Sequence, residues 1–184
     1  MKKAILIFFG VIFFLLLIGA FYYGLFFSIV ISEKSVGGET LVYREKIGDY
    51  SQSEQTVDDV YSELKNNFGI ECSIGFGVFY DNPQQVAKDK LRSDLGCILP
   101  ESASNQVSEL QDSPNLKMKR NPIVKSIIAE FPYRNKVSYM LGVLMVYPKL
   151  TDYLNQHNYQ PAPSMEIYDH GGHRIEYRMA VVEK

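Results

Sequence analysis

From Ala4 to Ile31 the chain carries no charged residue, and the run is dominated by Ile, Leu, Phe, Val and Tyr. It is roughly 28 residues long, where about 20 suffice to cross the hydrocarbon core of a bilayer. The core helix of a soluble domain keeps a polar face, and this run has none. A cleavable signal peptide is the rival reading, but its apolar region is only ~7–15 residues and ends at a small-residue cleavage site. Neither description fits here, and no cysteine follows the run as a site of lipid attachment. The sequence therefore divides into a flank (1–3), a transmembrane helix (4–31), a linker (32–38) and one domain (39–184).

Lys2 and Lys3 precede the span, while Ser32-Glu33-Lys34-Ser35 after it is neutral. The positive-inside rule then leaves the N-terminus in the cytoplasm and places the domain on the extracytoplasmic side. Ala20, Gly24 and Ser28 recur every four residues, a small-xxx-small spacing through which two helices can approach. The expected partners of this segment are the lipid bilayer and, through that face, a second copy.

The rest of the chain is long enough for one domain with its own core. A formal net charge of −2 and the lack of any Lys/Arg run argue against nucleic acid as a partner. Cys72 and Cys97 make neither a disulfide framework nor a zinc site, and no cofactor is expected. They read as neighbouring buried thiols, for which a disulfide requires the extracytoplasmic side.

After the Val36-Gly37-Gly38 joint the same order of elements occurs twice. Thr40 to Ile47 is β-branched and aromatic, as strands are. Ser53, Thr56 and Asp58-Asp59 signal a helix start, and Val57, Val60, Tyr61, Leu64 and Phe68 keep helical spacing until Gly69. Ile74, Phe76, Val78 and Tyr80 alternate as a half-buried strand, and Leu91 to Leu99 returns beside it. In the second half Ile123 to Phe131 is a strand. Val137 to His157 is a helix that Pro148 is expected to kink or divide. Ser164 to Tyr168 and Arg174 to Val182 form a hairpin around Asp169-His170-Gly171-Gly172. The segment from Pro100 to Pro122, rich in Ser, Asn, Gln and Pro, is expected to be an exposed connection. The fold class is α+β, a tandem duplication of a strand–helix–strand–strand module, with a groove between the modules as the natural ligand position.

Two such modules resemble the GyrI-like small-molecule-binding domain, which also forms the effector-binding part of multidrug-sensing transcription regulators. The resemblance extends from Glu39 to Lys184. It is carried by Gly77-Val78-Phe79-Tyr80-Asp81-Asn82-Pro83, by Asp89-Lys90-Leu91-Arg92, and by the hairpin segments Met165-Glu166-Ile167-Tyr168 and Ile175-Glu176-Tyr177. Phe131-Pro132-Tyr133 and Val146-Tyr147-Pro148 are similar to the membrane-anchored branch of that family, which in animals includes an autophagy receptor of the endoplasmic reticulum. The sequence holds neither that receptor's acidic tail nor a DNA-binding segment, and neither role is carried over.

What the resemblance implies is a hairpin glutamate, ringed by aromatic residues, that recognises cationic or polar aromatic ligands. The expected ligand-binding residues are Glu166, Tyr168 and Glu176. If the apolar set Met165 and Ile167 with Ile175, Tyr177 and Met179 packs on the helices, these three look out from the sheet together. The competing reading of the same residues is a solvated sheet face with its carboxylates paired to Arg174 or Arg178. Some family members hydrolyse strained rings through a glutamate and a tyrosine, but no Ser-His-Asp, Cys-His or metal constellation supports catalysis here. Ligand binding without turnover is the first expectation. Hydrolysis of reactive electrophiles and a membrane adaptor role are the alternatives. Asp169, His170 and His173 surround two glycines at a tight turn, and turn chemistry accounts for them.

Overall fold

The computed structural model describes residues 2–111 and 113–183. The apolar run begins as helix α1, Lys2–Tyr22, whose 21 residues extend about 31 Å, enough by length and composition to cross a bilayer. Along most of its length its side chains stand clear of the domain, as at Leu6 and Phe13. The helix ends earlier than the expected Ile31. Gly24 adopts a left-handed φ of 79° against Pro132, and a Cβ there would lie 2.8 Å from that ring's Cγ. Gly24 and Ser28 therefore lie beyond the helix, so the Ala20, Gly24, Ser28 spacing makes no helical stripe.

A further departure follows. Residues 32–38, expected as a linker, mostly form strand β1, Ile31–Val36, which pairs residue by residue with a later strand. The first module then runs through β2 (Thr40–Ile47), α2 (Ser53–Phe68), β3 (Ile74–Phe79) and β4 (Arg92–Ile98). Gly69 closes α2 in the left-handed region, with its N–H on the carbonyls of Leu64 and Lys65.

The segment from Pro100 to Pro122 is structured. It contains a 3₁₀ turn over Glu101–Gln106, the short helix α3 (Val107–Gln111) and strand β5 (Lys117–Arg120). Ala103, Leu110 and Leu116 are buried in the core under α2, which outweighs the polar composition around them. The second module follows as β6 (Val124–Pro132), α4 (Val137–Gln156), the two-residue β7 (Tyr159–Gln160), β8 (Ser164–Asp169) and β9 (Arg174–Ala180). A last pair, β10 (Val182–Glu183), lies on β7. Pro148 sits inside α4 without dividing it.

The main sheet is antiparallel throughout, in the order β1-β6-β9-β8-β3-β4-β2-β5. The two modules are mirror-ordered about the central pair β8 and β3. The strand leading into each module caps the other one: β1 covers β6, and β5 covers β2. Helix α2 packs on β2 and β4 around Val42, Leu64 and Cys97; α4 packs on β6 and β9 around Phe131, Leu150 and Tyr177. The opposite face has no helix, yet Leu41 and Phe76 are fully buried there. The sheet curls until Glu39, before β2, meets Arg178 of β9, and Asn121 meets Met165.

Candidate functional site

Because α2 and α4 sit over the two flanks of the sheet, the central strands β3 and β8 lie under the seam between the helices. On β3 the residues facing this seam are Gly75 and Gly77. The ladder is continuous on both sides of β3, so these glycines mark no bulge; they leave room. A Cβ on Gly75 would sit 3.0 Å from Val57 of α2 and 3.5 Å from the Tyr168 ring.

Facing them from β8 are Glu166 and Tyr168. Glu166 is 5% exposed. Its carboxylate accepts from the Tyr147 hydroxyl at 2.7 Å and from the Tyr168 hydroxyl at 3.1 Å. Tyr147 also reaches the Ser164 hydroxyl at 3.1 Å. Tyr177 lies beside Glu166 across the ladder, and its own hydroxyl is buried without a partner among the described residues. Around this group Tyr139 stands edge-on to Tyr168, with ring centres 5.2 Å apart. His170 stacks on Tyr133 at 4.4 Å and has its Nε2 2.6 Å from the Tyr139 hydroxyl.

Among the described residues no Lys or Arg forms an ion pair with Glu166. Burial pushes its carboxyl up to about 7, although the Tyr147 and Tyr168 hydroxyls pull the other way. The same burial, next to the Glu166 charge, holds the Tyr147 and Tyr168 phenols well above their usual range. The hydroxyls thus remain donors, and near neutral pH the site exchanges one proton.

Glu176 is not part of this group. The β8–β9 ladder pairs Glu166 with Tyr177 and Ile167 with Glu176, so Glu176 points to the opposite face. The expectation that Glu166, Tyr168 and Glu176 share a face is corrected by this register. Glu176 pairs with Arg178, which also donates to Glu39 at 2.6 Å. The three cover a small cavity of about 160 Å³ floored by Ile74, Ile98 and Ile167. That is the face, away from the helices, on which the groove was expected.

Tyr133, Tyr139, Tyr147 and Tyr177 were not expected as site residues, and His170 was assigned to turn chemistry alone. Tyr139 and Tyr147 lie on α4 and Tyr177 on β9, where spacing alone does not set them apart from packing residues, and Tyr133 and His170 lie in the turns after β6 and β8.

No protein-family profile matches the chain. It is 32% identical over 118 residues to testis-expressed protein 264 of Homo sapiens, a match covering 59% of this chain and 38% of the human protein. It is 28% identical over 158 residues to the Mus musculus homolog, covering 80% of this chain and 48% of the mouse protein. The chain thus spans less than half the length of the curated relatives it matches. Among solved structures, the C-terminal domain of EcmrR is similar with a TM-score of 0.59, over 85% of this chain and 99% of that domain, at 12% identity. Together with the observed topology, this likeness shows the fold: an α+β domain with the GyrI-like fold, preceded by one apolar helix.

Proposed function

We propose that this chain is a membrane-anchored small-molecule-binding protein whose domain takes a hydrophobic or cationic ligand onto Glu166, at the seam between α2 and α4. One observation carries the reading. A carboxylate 5% exposed is held by two tyrosine hydroxyls and, among the described residues, by no cation. A buried charge without a counter-ion destabilises the fold that keeps it, so a glutamine would serve packing better. A cationic ligand supplies the missing charge, and the Tyr139, Tyr147 and Tyr168 rings add cation–π attraction. The GyrI-like fold supports the same reading. Helix α1 supports anchoring in a bilayer, and Lys2 and Lys3 support a domain on the extracytoplasmic side.

The test is isothermal titration of the full chain in detergent with a panel of aromatic cations. The expected result is binding at pH 8 that weakens as pH falls through 7, where protons compete for Glu166. Glu166→Gln should weaken binding about tenfold or more, a loss of ~1.4 kcal/mol. Glu176→Gln, on the far face, should change it little. Equal affinity in wild type and Glu166→Gln would remove the carboxylate as the anchor. Sidedness is read from proteolysis in sealed vesicles at the exposed β8–β9 turn, His170 to His173. Cleavage only from the cytoplasmic side would overturn the extracytoplasmic placement.

A further inference from the structure

Helix α4 carries apolar side chains on its outer surface as well as its inner one. Val137 and Val143 are each 42% exposed, Met140 59% and Leu144 63%. All four lie in the first eight residues of the helix. Along the same stripe the next positions are Pro148, Thr151, Asp152 and Asn155, so the outer face turns polar toward the distal end. A helix whose exposure changes character along its length meets two different surroundings.

The apolar end is the one joined to α1. The Tyr23 hydroxyl accepts from Asn135 Nδ2 at 3.0 Å, and the Arg134 guanidinium lies 5.7 Å from the centre of the Tyr22 ring. Phe27 packs edge-on against Phe131, with centres 6.2 Å apart. Phe26 and Val30, in the connection after α1, are 64% and 72% exposed. Leu144 is seven residues beyond Val137, the first residue of α4, about 10 Å along the helix axis. The exposed apolar residues of the domain's α4 are thus continuous with the end of the candidate span. Tyr22, Tyr23 and Arg134 there are the residue types found at a membrane–water boundary.

We infer that the outer face of the first two turns of α4, with Phe26 and Val30, rests on the bilayer surface, so that the domain lies against the membrane that anchors it. The inference rests on α1 crossing the bilayer. Its occupant is the lipid interface, whose polar layer is about 5–7 Å deep and begins where α1 ends. Apolar side chains inserted there leave water as they do in an interfacial amphipathic helix. The docked face is the outside of the helix that supplies Tyr139 and Tyr147 to the ligand seam. Access to Glu166 would then be set at the membrane surface.

The chain contains no tryptophan, so a single introduced one reports alone. The full chain is reconstituted in phosphatidylcholine vesicles with and without brominated acyl chains, which quench indole at contact. Three variants are compared: Phe9→Trp in α1, Leu144→Trp on the proposed face, and Thr151→Trp farther along α4; Met140→Trp repeats the second at a neighbouring site. The expected result is that Phe9→Trp, Leu144→Trp and Met140→Trp lose most of their emission in brominated vesicles, while Thr151→Trp keeps it and yields to aqueous iodide. If Phe9→Trp is quenched by lipid but Leu144→Trp and Met140→Trp only by iodide, the face is in water and the inference is overturned. If they are shielded from both quenchers, a second copy or another protein covers the face, which also overturns it. An unquenched Phe9→Trp removes the anchor itself, and the inference with it.

Discussion

The Tyr147 hydroxyl donates to the Glu166 carboxylate at 2.7 Å, from the residue of α4 directly before Pro148. This contact joins the helix to the central strand of the sheet at the one buried carboxylate facing the seam. Burial of that carboxylate, against the pull of the Tyr147 hydroxyl, makes the stability of the domain depend on its protonation, with a sign opposite to that of most carboxylates.

That sign can be worked out. The Glu166 carboxyl has a folded pKa of about 7 against an ordinary 4.5. Between those values the folded chain holds a proton that the unfolded chain has released, so stability falls as pH rises through this window. The full effect is on the order of 3 kcal/mol, at roughly 1.4 kcal/mol per pH unit. Glu166→Gln removes the titration and keeps a hydrogen-bond acceptor. The difference in thermal midpoint between wild type and variant should therefore shift in favour of wild type by several degrees from pH 8 to pH 5. Parallel profiles for the two proteins would mean the carboxyl titrates normally.

Gly142 of α4 faces Tyr177 of β9 so closely that an added Cβ would lie 2.1 Å from the phenol oxygen. Tyr177 is fully buried and has nowhere to retreat. Helix propensity alone would make Gly142→Ala stabilising by about 1 kcal/mol. The close approach predicts the reverse, a loss of about 1–3 kcal/mol from overpacking. Tyr177→Phe removes a hydroxyl without a partner and should be close to neutral or stabilising alone. It should also recover much of the Gly142→Ala loss, since the contact that causes it is gone. Denaturant melts of the four proteins give the coupling, and strict additivity would show that the two residues do not meet.

How far the sequence carried is clearest in the last hairpin. Alternation showed which residues share a face within each strand, and both strands lie close to where they were expected. It did not show how one strand is set against the other. The turn extends to His173, which takes a left-handed φ of 54°, so Asp169 pairs with Arg174 and Glu166 with Tyr177. Shifting a pairing by one residue exchanges the faces, and that moved Glu176 away from Glu166. The expectation also assumed that aliphatic side chains mark the helix-covered face. Met165 and Ile167 instead pack with Leu41 and Phe76 on the curled face, because this sheet buries both sides. Strand β1 was hidden for a different reason. Ser-Glu-Lys-Ser is a polar sequence for a strand, but β1 lies at a sheet edge, where charges guard against unwanted pairing.

The position of β1 sets where a soluble fragment can begin. Ile29 and Ile31 pack against the core under α4, and β1 covers the edge of β6. A fragment of residues 39–184 loses both and exposes β6 as an unpaired edge. A fragment of residues 29–184 should be monomeric by size-exclusion chromatography and unfold cooperatively by circular dichroism. The shorter one should aggregate or melt many degrees lower. Equal midpoints for the two would show that β1 is dispensable and that the domain proper starts at Glu39.

Arg178 is the residue on which the curled face closes. It is half-buried, and it donates to Glu39 through Nη1 and to Glu176 through Nε. Burial alone would raise the Glu39 carboxyl, but hydrogen bonds from Arg178 and Asn121 outweigh it and hold the pKa below its ordinary 4.5. A carboxylate with a lowered folded pKa contributes stability above its unfolded value, and that contribution is lost as pH falls through the folded one. Arg178→Met keeps much of the aliphatic stem and removes the charge, leaving two carboxylates facing the same small cavity without their shared cation. Removing one partner of a desolvated ion pair costs about 3–5 kcal/mol, and partial exposure here should bring the loss nearer 2. The loss should be largest at pH 7, where Glu39 is charged, and should shrink toward pH 4 as a proton replaces the arginine at Glu39. Chemical denaturation of Arg178→Met and wild type across that range decides it. A deficit that does not change with pH would assign the role of Arg178 to packing of its stem rather than to charge.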